Sequence, residues 1–232
     1  MTNQGVSTVR PPGPVTQGSG VAWTRFLVAV PVAWVLVALV HPQGSGDVYE
    51  GLRDEVGMWI GVHLAQPVLA IGLAVVIWTM LAGKRGTAAK VARFAIPAWL
   101  VSFTVFDSIA GLASGLVIQQ ANDLSGAEQA GAASAAQYML DNHYAGSISP
   151  VWFIQAGAFV TIVIATALVL RRAGASTGLF VAMLVGALHV FHAGPISAVG
   201  LVGIAVAIVL ADREGLVGGG DQVGRAALGA TP

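Results

Sequence analysis

Apolar residues run in five long blocks along this chain, separated by polar stretches. The blocks are Val21–Val40, Met58–Leu81, Val91–Ile118, Val151–Leu170 and Thr177–Ala211. A membrane helix takes roughly 20 mostly apolar residues, so each block can supply at least one crossing. The last block, as one helix, would be about 52 Å long, too much for one crossing. Ala193-Gly194-Pro195 sits near its middle. Gly with Pro punctuates a helix, and Pro suits a first helical turn. The pattern therefore predicts two short spans, Thr177–His192 and Pro195–Ala211, and six in all. One helix kinked at Gly194-Pro195, giving five spans, is the alternative. The expected fold is all-α, a polytopic transmembrane bundle over 21–211.

The flanks read differently. Residues 1–20 are rich in Gly, Pro, Ser, Thr and Gln, and 212–232 contain Gly218-Gly219-Gly220. Both read as disordered tails. The first block is longer than a signal-peptide core and no Ala-x-Ala-like site follows it, so it is expected to remain as a helix. The loop 119–149 is too long for a plain connector. Within it, Ser125-Gly-Ala-Glu128 fits a capping box ahead of an Ala-rich stretch. A short helix over about 125–140 is expected there, as either a solvated loop helix or a lid.

Composition narrows the class. Apolar residues make up 56% of the chain and charged residues 9%, with mean hydropathy +0.78. Soluble domains carry about 25% charged residues, so a water-facing globule and a disordered chain are both excluded. With no Cys, disulfides, thiolate metal sites and thiol catalysis are excluded. Net charge is zero, which leaves no global basic field for nucleic acid; the partner implied is the lipid bilayer.

Charge placement sets an orientation. Arg10 and Arg25 precede or open the first block, Lys84, Arg85, Lys90 and Arg93 lie around the second turn-back, and Arg171 and Arg172 follow the fourth block. The loops 42–57 and 119–149 carry mainly acids. The Lys/Arg bias predicts a multi-pass protein of the cell membrane with a cytoplasmic N-terminus. Arg outnumbers Lys nine to two, and Ala, Val and Gly are heavily used, a hint of a GC-rich bacterial genome. The six Trp residues fall mostly near block ends, as interfacial belts require.

Chemistry is sparse inside the blocks. Asp107 is the one acid within a span. A buried charge there costs at least ~2.5 kcal/mol, so it is read as functional by default. Thr104, Asp107, Ser108, Gly111, Ser114 and Gly115 share a helical stripe, and Gly111 with Gly115 allows close helix approach. Counting residues from each membrane entry puts Asp107 about 24 Å along a core of ~30 Å. The same count puts His63 about 7 Å in from the outer side, with Gln66 a turn deeper. His189 and His192 fall about 20–24 Å from the inner side, and Gln155 lies near the outer start of its span. His41 and His143 read as interfacial. All the histidines and the span acid thus belong to the outer half.

This clustering predicts an outward-facing polar pocket. Asp107 and His63 are its expected acid–base pair, with Gln66, Ser108, Gln155, His189 and His192 as ligand-binding residues. The expected ligand is a small lipophilic molecule, bound or transformed by isomerisation or cyclisation. A metal or haem site is the first alternative, drawing on His63, His189, His192 and Asp107. A small transporter or an accessory membrane subunit is the other. No cofactor follows from the sequence itself.

The stretches Val62-His63-Leu64-Ala65-Gln66, Val105-Phe106-Asp107-Ser108-Ile109-Ala110-Gly111 and His192-Ala193-Gly194-Pro195 resemble small polytopic membrane proteins of GC-rich bacteria with no assigned activity. The resemblance runs over most of the chain from the second span onward. It implies a five- or six-helix membrane fold and carries over no catalytic residue.

Overall fold

The computed structural model describes residues 18–42, 46–143 and 149–217. These form an all-α bundle. Helix α1 spans Gly18–Val40, α2 Val48–Leu52, α3 Val56–Met80 and α4 Thr87–Phe106. A π-helical segment, Asp107–Ala113, continues α4 directly into α5, Ser114–Ala121. Then come α6 (Gly126–His143), α7 (Pro150–Arg172), α8 (Thr177–Val185), a 3-10 segment (Gly186–Phe191) and α9 (Gly194–Arg213). Most of both predicted tails lies outside the described residues.

Five helices are long and apolar enough to cross a membrane: Ala22–Val40, Val56–Met80, Thr87–Ala121, Pro150–Arg172 and Gly194–Arg213. Thr177–Phe191 is a shorter apolar helix. The last apolar block is therefore broken in two, as the Gly194-Pro195 signal requires. Three consecutive residues make the break: His192 at φ +67, Ala193 extended, and Gly194 at φ +76. Nine α-helical residues followed by six 3-10 residues reach about 25 Å, because the 3-10 rise is about 2.0 Å per residue against 1.5 Å. The tighter winding lengthens a segment that would otherwise fall short of the ~30 Å core.

The outward face of the bundle confirms its solvent. Leu36, Val68, Phe94 and Val101 are all more than 60% exposed. Large apolar side chains in such numbers are unfavourable against water and ordinary against lipid chains. In the absence of a hydrophobic drive between helices, close packing holds the bundle together. Helix α4 packs on α7, α1 on α9, and α9 on both α8 and the 3-10 segment. The buried centre is aromatic: Trp34 sits 5.7 Å from Phe103 and 6.4 Å from Trp99, and Trp99 lies 5.3 Å from Phe159 between ring centroids. Trp34, Trp59 and Trp99 are buried, so half of the six Trp side chains serve the interior, not an interfacial belt. Helix packing draws them in, and their large rings fill the centre.

The basic end is tied down by local bonds. Arg93 donates to the carbonyls of Leu81 and Lys84, and Lys84 donates to that of Leu216 at 2.7 Å. Burial lowers the Lys84 pKa from its ordinary value. Glu214 accepts from the Ser176 hydroxyl at 2.5 Å and from its backbone N–H at 3.0 Å, linking the end of α9 to the start of α8. Those bonds hold the Glu214 carboxyl below its usual 4.5. A depressed acid stabilises the fold above its unfolded pKa, and the contribution is lost as pH falls through the folded value. The expected result is a melting midpoint in detergent that drops between pH 6 and pH 3, with a smaller drop in Ser176→Ala. Equal drops in the two proteins would exclude this link.

The other end carries a roof. Helix α6 covers the predicted 125–140 region and packs on α5. It is pinned by side-chain amides: Gln137 accepts from the Val48 N–H at 2.9 Å, and Gln129 donates to the Tyr49 hydroxyl and the Ala121 carbonyl. The short α2, which the sequence pattern did not suggest, thereby sits beside α6. Asp47 caps α2 by accepting from the Glu50 N–H.

Candidate functional site

Three imidazoles meet beneath this roof. His41 follows the last residue of α1, His63 comes from the second turn of α3, and His192 occupies the break before α9. Each is buried, and one ring nitrogen from each lies within 4.8 Å of the others. His41 Nε2 and His63 Nε2 are 3.4 Å apart. Aromatic rings surround the group: Trp59 stands 4.4 Å from His63 and 5.1 Å from His41, and Phe106 stands 5.5 Å from His192 between centroids. Asp107 is 1% exposed, with Oδ1 4.0 Å from His63 Nε2. Neither of its carboxyl oxygens has a hydrogen-bond partner among the described residues.

Local structure explains the convergence. The π-helical segment begins at Asp107. One wider turn rotates the residues after it relative to a continuous α-helix, and such bulges often accompany functional sites. Gly111 then faces α3, where a Cβ would overlap the His63 ring. Gly115 makes the same allowance for Trp59. The Trp59 indole N–H donates to the Gly111 carbonyl at 2.7 Å, a backbone acceptor on the π-helical segment. The backbone of His192 lies at φ +67, a left-handed conformation that costs a non-glycine residue on the order of 1 kcal/mol or more.

The hydrogen bonds settle which ring nitrogens carry protons. His41 Nδ1 is 2.7 Å from the Pro42 carbonyl oxygen, and His63 Nδ1 is 2.8 Å from that of Trp59. A carbonyl only accepts, so both Nδ1 atoms donate. In the neutral rings, each Nε2 then presents a lone pair.

A cavity of about 60 Å³ opens beside the group, walled by His41, His63 and His192 with Pro42, Leu52, Phe106 and Leu140. It has room for a few waters.

The sequence-predicted residues divide. His63, Asp107 and His192 come together. His189 does not join them: its Nδ1 bonds to Ser197 Oγ at 2.8 Å, and its ring packs on Trp34 at 4.4 Å and Phe159 at 5.3 Å. His192 lies past the end of the 3-10 segment, where the chain breaks at φ +67, and the two rings part there. Ser108 and Thr104 are exposed, on the other side of the stripe from buried Asp107, Gly111 and Ser114. Gln66 and Gln155 are buried, and among the described residues Gln66 Oε1, Gln66 Nε2 and Gln155 Oε1 lack hydrogen-bond partners. The side chain of His143 lies outside the described residues. His41, read as interfacial, is instead 8% exposed and part of the triad. The signal for it was present in its depth, level with His63 and His192, and in Pro42, whose carbonyl orients its ring.

The chain matches no known family, no curated protein and no solved structure.

Proposed function

We propose that this is a multi-pass protein of the bacterial cell membrane whose cavity at the extracytoplasmic end binds a small polar ligand. The observation that carries the reading is the meeting of His41, His63 and His192, from three separate elements, beside buried Asp107 and around one cavity. The Lys/Arg bias supports the orientation: Lys84, Arg85, Arg93, Arg171 and Arg172 gather at the opposite end of the spans.

Cavity size favours a small ligand. Pockets for drug-sized molecules run to about 300–1,000 Å³, against about 60 Å³ here. A lipophilic substrate would fit only after α2 and α6 lift away. Acid–base chemistry on such a molecule is the second reading, favoured by the 4.0 Å approach of Asp107 to His63. Transport gains less support. Trp34, Trp99, Phe103 and Phe159 fill the centre of the bundle at 0–1% exposure. Two tetrapyrrole ligands drawn from His63 and His189 do not fit either, because Ser197 holds His189 and the cavity is too small for a macrocycle.

The chain has no Cys, so single thiols report on access. Leu140→Cys, at the cavity wall, is expected to react with a membrane-impermeant maleimide in right-side-out vesicles. Arg85→Cys is expected to react only in inverted ones. The opposite pattern would reverse the orientation, and an unreactive Leu140→Cys in both preparations would remove the open cavity.

A further inference from the structure

We infer that His41, His63 and His192 bind one divalent transition-metal ion of borderline softness, Zn²⁺ or Cu²⁺. The inference rests on the reading of this cavity as the ligand site and names its occupant. The Nε2 atoms of His41 and His63 lie 3.4 Å apart, and both Nδ1–H groups are donated to carbonyls. Zinc–imidazole bonds are about 2.0–2.1 Å, and the edge of a tetrahedron with such bonds is about 3.3–3.4 Å. The observed 3.4 Å separation matches that edge. His192 supplies the third nitrogen.

The surroundings fit a metal in other ways. Carbonyls behind His41 and His63 fix tautomer and ring angle, as second-shell acceptors do around metal-bound imidazoles. Asp107 stands beside the group, and with a small side-chain shift its Oδ1 becomes an oxygen ligand. A set of three imidazoles and a carboxylate suits Zn²⁺ or Cu²⁺ and disfavours the all-oxygen ions Ca²⁺ and Mg²⁺. The cavity leaves room for water on the remaining position.

The test uses the tag-free full chain in detergent, stripped with chelator and titrated with Zn²⁺ or Cu²⁺ alone. One ion per chain is expected, with a nitrogen-coordinated Cu²⁺ resonance spectrum. At 100-fold excess of Zn²⁺ over Kd, Tm should rise by about 5–10 °C. His41→Ala and His63→Gln should each weaken binding more than about 100-fold, beyond what loss of a supporting contact costs. His189→Gln, equally buried but outside the triad, should bind as the parent does. Each variant is first checked for a monodisperse elution profile. Absence of stoichiometric binding, or equal effects of His189→Gln and His63→Gln, overturns the inference. If Leu140→Cys is labelled from outside while no metal binds, the ligand cavity stands and the metal falls. If metal binds while Leu140→Cys stays unreactive, the metal stands and the open cavity falls.

Discussion

Gly111→Ala should lower the melting midpoint by about 5–10 °C and scatter the histidine triad. A Cβ at Gly111 would overlap the His63 ring, including Cγ and Cδ2. The ring is restrained on two sides. Its Nδ1 is held by the Trp59 carbonyl, and the Trp59 ring packs 4.4 Å away. Trp59 is itself anchored to the Gly111 carbonyl, so pushing the helices apart breaks that bond too. Alanine is better than glycine in a helix by about 1 kcal/mol. Overpacking typically costs about 1–3 kcal/mol and sometimes more, so the clash wins. About 2–3 kcal/mol corresponds to the stated shift for a chain of this size. Thermal melts in detergent read the stability, and histidine proton resonances read the cluster. Gly115→Ala should be milder, since its Cβ would approach Trp59 Cδ1 to 2.7 Å. Unchanged melts and unchanged imidazole signals in Gly111→Ala would show that α3 and the π-helical segment are not packed this way.

Gly200→Ala should damage the fold at least as much, for a different reason. Here the added Cβ would meet backbone: the His189 nitrogen, the Leu188 carbonyl carbon at 2.9 Å and the His189 Cα at 3.1 Å. Side chains can rotate away from a clash, whereas this backbone belongs to the 3-10 segment and cannot. Helix α9 must back off as a whole, opening its contact with α8, where a Cβ at Gly203 would likewise approach the Ala182 carbonyl at 2.8 Å. Separation would also break the His189–Ser197 bond and loosen Trp34 against His189. The expected cost is at or above the upper end of overpacking, about 3 kcal/mol. Loss of monodisperse protein on size exclusion, or a midpoint at least about 6 °C lower, is the expected reading. A Gly200→Ala protein that melts like the parent would deny the close crossing of α9 over the 3-10 segment.

Some of this was legible in the chain and some was not. The apolar blocks, the break at Gly194-Pro195 and the helix in the loop 119–149 are matters of local pattern, and the structure carries all three. The shared depth of His63, Asp107 and His192 was also readable, because rise per residue converts sequence distance into height along a span. Rotation was not readable. Ser108 and Thr104 belong to the Asp107 stripe at α-helical spacing, yet both are exposed while Asp107 is buried. His189 and His192 share a face at helical spacing, but the chain breaks at His192 with φ +67, and His189 bonds to Ser197 instead. His41 looked peripheral because it ends a block, and only the approach of α2, α3 and α6 covers it.

The primary sequence by itself therefore settled the solvent, the element type and the height of each polar group, since those depend on composition and on a fixed rise per residue. Azimuth and partnership came from the packed bundle. A helix breaks and rewinds in response to its neighbours, and where the break falls decides whether two imidazoles face each other or part.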